Sequence, residues 1–153
     1  MLFRSVAGNC SAILRWDLPE CKKATFATGS NPTGVAFDGT ALWVTNFGAD
    51  TVSRINTTTG TRTDFPTGAN PREVAFDGAN IWVVNRNGIS VTMINPATGA
   101  TIGTLATGNI PNGLAFDGTS IWVANFGSDM VSRIDHEVLG STLSQPRPRR
   151  RTS

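Results

Sequence analysis

Few side chains in this chain could make or break bonds, and those that could lie far apart. The single histidine, His136, precedes Glu137, and no Ser-His-Asp order can be built around it. No GxGxxG or phosphate-loop string occurs. Asp50 and Asp129 stand alone, without the clustered oxygen ligands of a calcium loop. Cys10 and Cys21, eleven apart, fit a small-loop disulfide or two free thiols equally well. There is no CxxC and the histidine is distant, so they do not read as metal ligands. The spacing therefore assigns no catalytic residue, no metal ligand and no cofactor. What remains is binding chemistry: arginine and glutamate for charge, asparagine for hydrogen bonds, aromatic rings for stacking.

Those residues come in sets of three because the chain repeats itself. The copies read NPTGVAFDGTALWVTNFGADTVSRI, NPREVAFDGANIWVVNRNGISVTMI and IPNGLAFDGTSIWVANFGSDMVSRI. Pro32, Pro71 and Pro111 mark the register at spacings of 39 and then 40, as do Trp43, Trp82 and Trp122. A period in this range means a stacked or radial array.

Each copy breaks into short strand-like runs: Val35 to Phe37, Leu42 to Val44, Val52 to Ile55 and Thr63 to Phe65 in the first. Asp38-Gly39, Asp77-Gly78 and Asp117-Gly118 link the first two runs, a strong hairpin signal. The second run ends at Asn46, Asn85 or Asn125. These read as turn residues, because asparagine accepts left-handed backbone and bonds to its own main chain. Runs such as Leu42-Trp43-Val44 are apolar on both faces, so each sheet must be covered on both sides. A radial stack of four-stranded blades does that.

The expected fold is therefore all-β, a β-propeller-type array of about three four-stranded antiparallel blades. The blades fall at about 30–68, 69–108 and 109–140. Lys23-Ala24-Thr25-Phe26-Ala27-Thr28-Gly29 matches Thr63-Asp64-Phe65-Pro66-Thr67-Gly68, so 22–29 reads as the last strand of a preceding blade. The third copy stops after its third strand, with a weak remnant of the fourth at 136–144. Residues 1–21 read as an irregular leader, and 141–153 as a disordered basic tail. Three blades are fewer than the ~4–8 of a ring. Two copies giving six blades, part of a longer propeller, and an open arc with sticky edges all fit; self-association through blade edges is expected.

The 153 residues suffice for one domain, with 39% apolar and 16% charged residues, and no apolar run reaches the ~18 residues of a membrane span. Residues 28–140 hold five arginines against nine carboxylates, a net of −4, while both ends are basic. Arg147, Arg149, Arg150 and Arg151 read as a solvated tail: a nucleic-acid surface needs more than four arginines with no aromatic partner. The N-terminus makes a poor signal peptide, with Arg4 and Arg15 interrupting its apolar stretch.

The strings AFDGTALWVTNFGADTVSRIN and IWVANFGSDMVSRID resemble the YVTN-type β-propeller repeat, and the related repeats of virginiamycin B (streptogramin B) lyases and NHL-type propellers. The resemblance covers residues 22 to about 135. It implies blade architecture and a bacterial, envelope or secreted setting. Members include lyases, envelope proteins and proteins of no known role. Such lyases use histidine and glutamate with magnesium on the propeller face. His136-Glu137 follows the last strand at the opposite rim, so those roles carry onto no residue here.

In a meander, the Asn-Pro segments and the Asn-Phe-Gly segments share one rim, the end at which propellers usually bind ligands. The middle copy differs there. Arg72 replaces Thr33 and Asn112, Glu73 replaces Gly34 and Gly113, and Arg86 replaces Phe47 and Phe126. The candidate site is Arg72, Glu73, Asn85 and Arg86, flanked by Asn46, Phe47, Asn125 and Phe126. Trp43, Trp82 and Trp122 could stack on sugars, but their mid-strand position argues for packing between blades. They and Asp38, Asp77 and Asp117 are taken as structural. The expected function is a non-catalytic binding or scaffold module for a small molecule, glycan or protein. A magnesium-dependent lyase opening a streptogramin ring is the alternative, and an inactive fragment of a longer propeller the third.

Overall fold

The computed structural model describes residues 24–135 of the chain. The first sheet comprises β1 (Pro32–Phe37), β2 (Ala41–Asn46), β3 (Thr51–Asn56) and β4 (Arg62–Pro66). The second comprises β5 (Pro71–Phe76), β6 (Ile81–Asn85), β7 (Ser90–Ile94) and β8 (Thr101–Ala106). The third comprises β9 (Pro111–Phe116), β10 (Ser120–Asn125) and β11 (Met130–Asp135), with one 3-10 turn at Phe126–Ser128. Each sheet is an antiparallel meander in chain order. Strand β1 packs against β5, and β5 against β9, so the first strand of every blade faces the interior of the array. The architecture is a partial propeller.

The turns are built by side chains that fix the backbone locally. Asp38 Oδ1 accepts from the amides of Thr40 and Ala41, both at 2.7 Å, and Asp77 and Asp117 repeat the arrangement. The glycine that follows each aspartate has φ between +94° and +99°, a conformation a side chain would strain. Between the third and fourth strands, Asn56 Oδ1 accepts from Thr58 and Thr59, and Asn95 does the same one blade on.

The first strand of each blade starts earlier than its apolar run and carries an irregularity. Pro32 pairs with Asn46, but Val35 pairs with Val44, so two residues oppose one. In the middle blade Pro71 pairs with Asn85 and Val74 with Val83, which makes Arg72 and Glu73 the bulged pair. Such a bulge re-aims the side chains it carries.

Among the described residues the core is two seams. Trp43 and Val52 of the first blade meet Val74, Ile81, Val83 and Ile94 of the second. Trp82, Val84 and Val91 of the second meet Ile121 and Val123 of the third. Two-sided apolar strands are the reason: one face closes the seam behind, the other the seam ahead.

One expectation needs correction. Asn46, Asn85 and Asn125 are not turn residues: each ends a strand and is buried. Left-handed backbone falls instead at Asn31, Asn70 and Ile110 and at Asp50, Ile89 and Asp129. One left-handed residue precedes the first strand of each blade and the other ends the loop after the second strand, while the strand-ending asparagine stays extended. Of residues 22–29, expected as the last strand of a preceding blade, 24–29 are described, and they pair with no strand among the described residues. The cysteines, His136-Glu137, the leader 1–21 and the tail 141–153 lie outside the described residues.

Candidate functional site

The rim is positioned by two side-chain devices that recur in every blade. In the first, the aspartate of the Asp-Gly turn reaches the indole five residues on. Trp43 Nε1 donates to Asp38 Oδ2 at 2.8 Å, and Trp82 and Trp122 donate to Asp77 and Asp117 at 2.6 Å. Burial by itself raises the Asp38 pKa, but bonds from the Trp43 indole, the Ala41 and Thr40 amides and the Thr40 hydroxyl outweigh it and lower the value to about 2. Asp117 is likewise held well below the usual carboxylate range, first by the bond from Trp122.

In the second device the buried asparagine ties a blade to the segment arriving from the previous one. Asn46 Oδ1 accepts from the Gly29 amide at 2.9 Å, and Asn85 Oδ1 from Gly68 at 3.1 Å. Their Nδ2 groups donate to Ser53 and Thr92, seven residues on, at 2.8 Å in both cases. Asn125 Nδ2 donates to Ser132 in the same way, yet its Oδ1 is buried with no partner. The asparagines therefore spend their amides inside the protein. They shape the rim rather than offer groups to a ligand.

Arg72, Glu73 and Arg86 do lie at one end of the middle blade. Arg86 donates its amide to the Asn70 carbonyl at 3.0 Å, which sets it beside the start of β5. The three side chains are half-buried, and Arg86 Nε is buried without a partner. Glu73 titrates above its ordinary value because burial penalises the charged carboxylate, an effect that Arg72 partly offsets. Phe47, half-buried, and Phe126, exposed, occupy the matching loops of the neighbouring blades; their amides donate to Asn31 and Ile110 at 3.0 Å.

The first blade holds the bulge in place through residues that sequence reading did not single out as a site. Thr33 and Thr45 direct their hydroxyls to the Arg72 carbonyl at 2.8 and 2.9 Å, and Thr45 Oγ1 accepts from the Gly34 amide at 2.7 Å. A Cβ at Gly34 would stand 2.7 Å from the Arg72 oxygen, so only glycine allows this approach. Thr45 corresponds to Val84 and Ala124. A lone hydroxyl in an otherwise apolar series was the available signal.

No family model matches the chain, and no curated protein sequence does. Solved structures do. The chain superposes on hydrazine synthase of Kuenenia stuttgartiensis with a TM-score of 0.64 at 23% identity, over 74% of this chain and 35% of that one. A streptogramin B lyase gives 0.52 at 17% identity, over 78% and 42%. Glutaminyl cyclase of Myxococcus xanthus gives 0.53 at 16% identity, over 68% and 47%. At these identities the likeness is one of fold. The chain spans less than half the length of each of these proteins.

Proposed function

We propose that the chain is a propeller binding module whose middle-blade rim takes a ligand bearing a carboxylate or phosphate group. One observation carries this reading. The Asp-Gly turn and the strand-ending asparagine are the same in all three blades, whereas the bulge of the middle blade alone carries Arg72 and Glu73. Their backbone is fixed from the adjacent blade by Thr33 and Thr45. Two guanidinium groups at one end of a blade suit planar, bidentate contact with an anion. Phe47 and Phe126 would flank the ligand's apolar part.

A titration with citrate and with inorganic phosphate, followed by amide chemical shifts, tests this. Changes confined to residues 72–74 and 85–87 and abolished in Arg72→Ala or Arg86→Ala support the reading. Scattered changes, or the same changes in both variants, oppose it. The streptogramin B lyase fold favours a second reading. Magnesium-dependent ring opening of a cyclic depsipeptide lactone by this chain would replace binding by catalysis.

A further inference from the structure

The described chain contains a strand without a blade and a blade without a strand. The third sheet has only β9, β10 and β11, so the outer edge of β11 is unpaired among the described residues. Residues 24–29 are held in the posture of a fourth strand. Gly29 donates to Asn46 as Gly68 donates to Asn85. The Thr28 hydroxyl donates to the Gly29 carbonyl at 3.2 Å, as Thr67 does to Gly68 at 3.1 Å and Thr107 to Gly108 at 3.2 Å. Phe26 lies over Gly60 as Phe65 lies over Gly99. Arg62 adds a bond to the Thr28 carbonyl. The segment thus sits on the first blade as β4 sits on the second, with no third strand to join.

We propose that a second copy of this chain supplies the missing mate, its residues 24–29 pairing with β11 to complete the third blade. The fit is specified by the internal repeat. Val52 pairs with Phe65, and Val91 with Leu105, so Val131 must pair with the incoming Phe26. Phe65 stacks on Trp43 with ring centroids 5.7 Å apart, and Phe26 would stack on Trp122 in the same way. Trp122 is 37% and Val131 60% exposed, while their counterparts Trp43, Val52, Trp82 and Val91 are at most 1% exposed. At the other end of the array, Val35 is 63% exposed where its counterpart Val74 is 6%. Leu42 there is half-buried, and Val44 and Ile55 are buried. The Trp122–Val131 face and the part of the first blade's outer face around Val35 correspond to the two halves of a seam that the molecule already makes twice within itself. A seam that joins tail to head closes only if the rotation returns to its start; two three-bladed copies give six blades, within the ~4–8 of propellers.

The test uses the full chain with Cys10 and Cys21 replaced by serine. Phe26→Cys and Val131→Cys variants are prepared separately, mixed and oxidised. Directly opposed residues on antiparallel strands lie within disulfide reach. The expected product is a disulfide between the two different variants at twice the chain mass. Hydrogen exchange on the otherwise unaltered chain gives an independent measurement. The amides of residues 130–135 should exchange more slowly by over about ten-fold when protein concentration is raised past the dimer midpoint. Three results overturn the proposal: a monomeric mass at every concentration; a disulfide within one chain carrying both substitutions; or protection of β11 independent of concentration, which would assign its partner to residues 136–144 of the same chain.

Discussion

The seams around Trp43 and Trp82 differ from the face that carries Trp122 in what covers them. All three indoles donate to the aspartate of their own blade, at 2.8, 2.6 and 2.6 Å. Two of them are sealed by the next blade and the third is not. The orientation of the ring is therefore set within the blade, and its burial is set by the neighbour. The third blade holds its indole in place with no blade over it among the described residues, so its half of an interface does not depend on the other half. The Arg133 guanidinium carbon lies 5.9 Å from the centroid of the Trp122 ring, which is still 37% exposed.

The largest test of that contrast is truncation. Trp43→Ala and Trp82→Ala should each destabilise the protein by about 3–5 kcal/mol in chemical denaturation, since each empties a packed seam. Trp122→Ala, measured in dilute protein, should cost no more than about 1–2 kcal/mol, because its outer face is already in water. Equal losses at all three positions would erase the distinction between closed and open faces.

A smaller effect is expected from the asparagine clamps. Asn46→Ala leaves the Gly29 amide without its side-chain acceptor and removes a donor to Ser53, whose hydroxyl keeps Asp64, and should cost about 2 kcal/mol. Asn125→Ala should cost less, since its Oδ1 holds nothing. A larger loss at Asn125 than at Asn46 in the same assay would show that the third blade is tied as firmly as the first.

The smallest effect is a pH dependence. The Asp38 carboxyl titrates lower in the folded protein than in the unfolded chain, so its contribution to stability is complete above the ordinary carboxyl value of 3.8 and fades as pH falls toward about 2. Asp38→Asn should flatten the acid limb of the stability curve between roughly pH 4 and 2. An unchanged limb would mean that the indole bond survives protonation at no cost.

Much of the fold was legible because the chain states it three times. Apolar runs on both faces demanded cover on both sides, and Asp-Gly placed the hairpins. The paired spacings that build the clamps were also visible: aspartate to tryptophan at five residues, asparagine to serine or threonine at seven. They were not read as bonds, because five and seven are neither strand nor helix neighbours. They become neighbours only when a turn folds one strand back on the next. The asparagines were misassigned for the same reason, since a residue next to a loop is buried or exposed according to what the following strand brings to it. At the rim, the sequence showed that the middle copy differs. Only the structure put Arg72 and Glu73 on a bulge and fixed them from the blade before.

The sequence by itself determined the repeat unit, the number of its copies and the two-sided character of every sheet, because these depend on residue type and order along one strand and its turn. The tertiary structure decided which indoles are sealed, which asparagine carbonyl finds a donor and which backbone grips the rim. Those outcomes depend on contacts between residues 17 or more positions apart, whose energies belong to a pair of neighbouring segments and to neither alone.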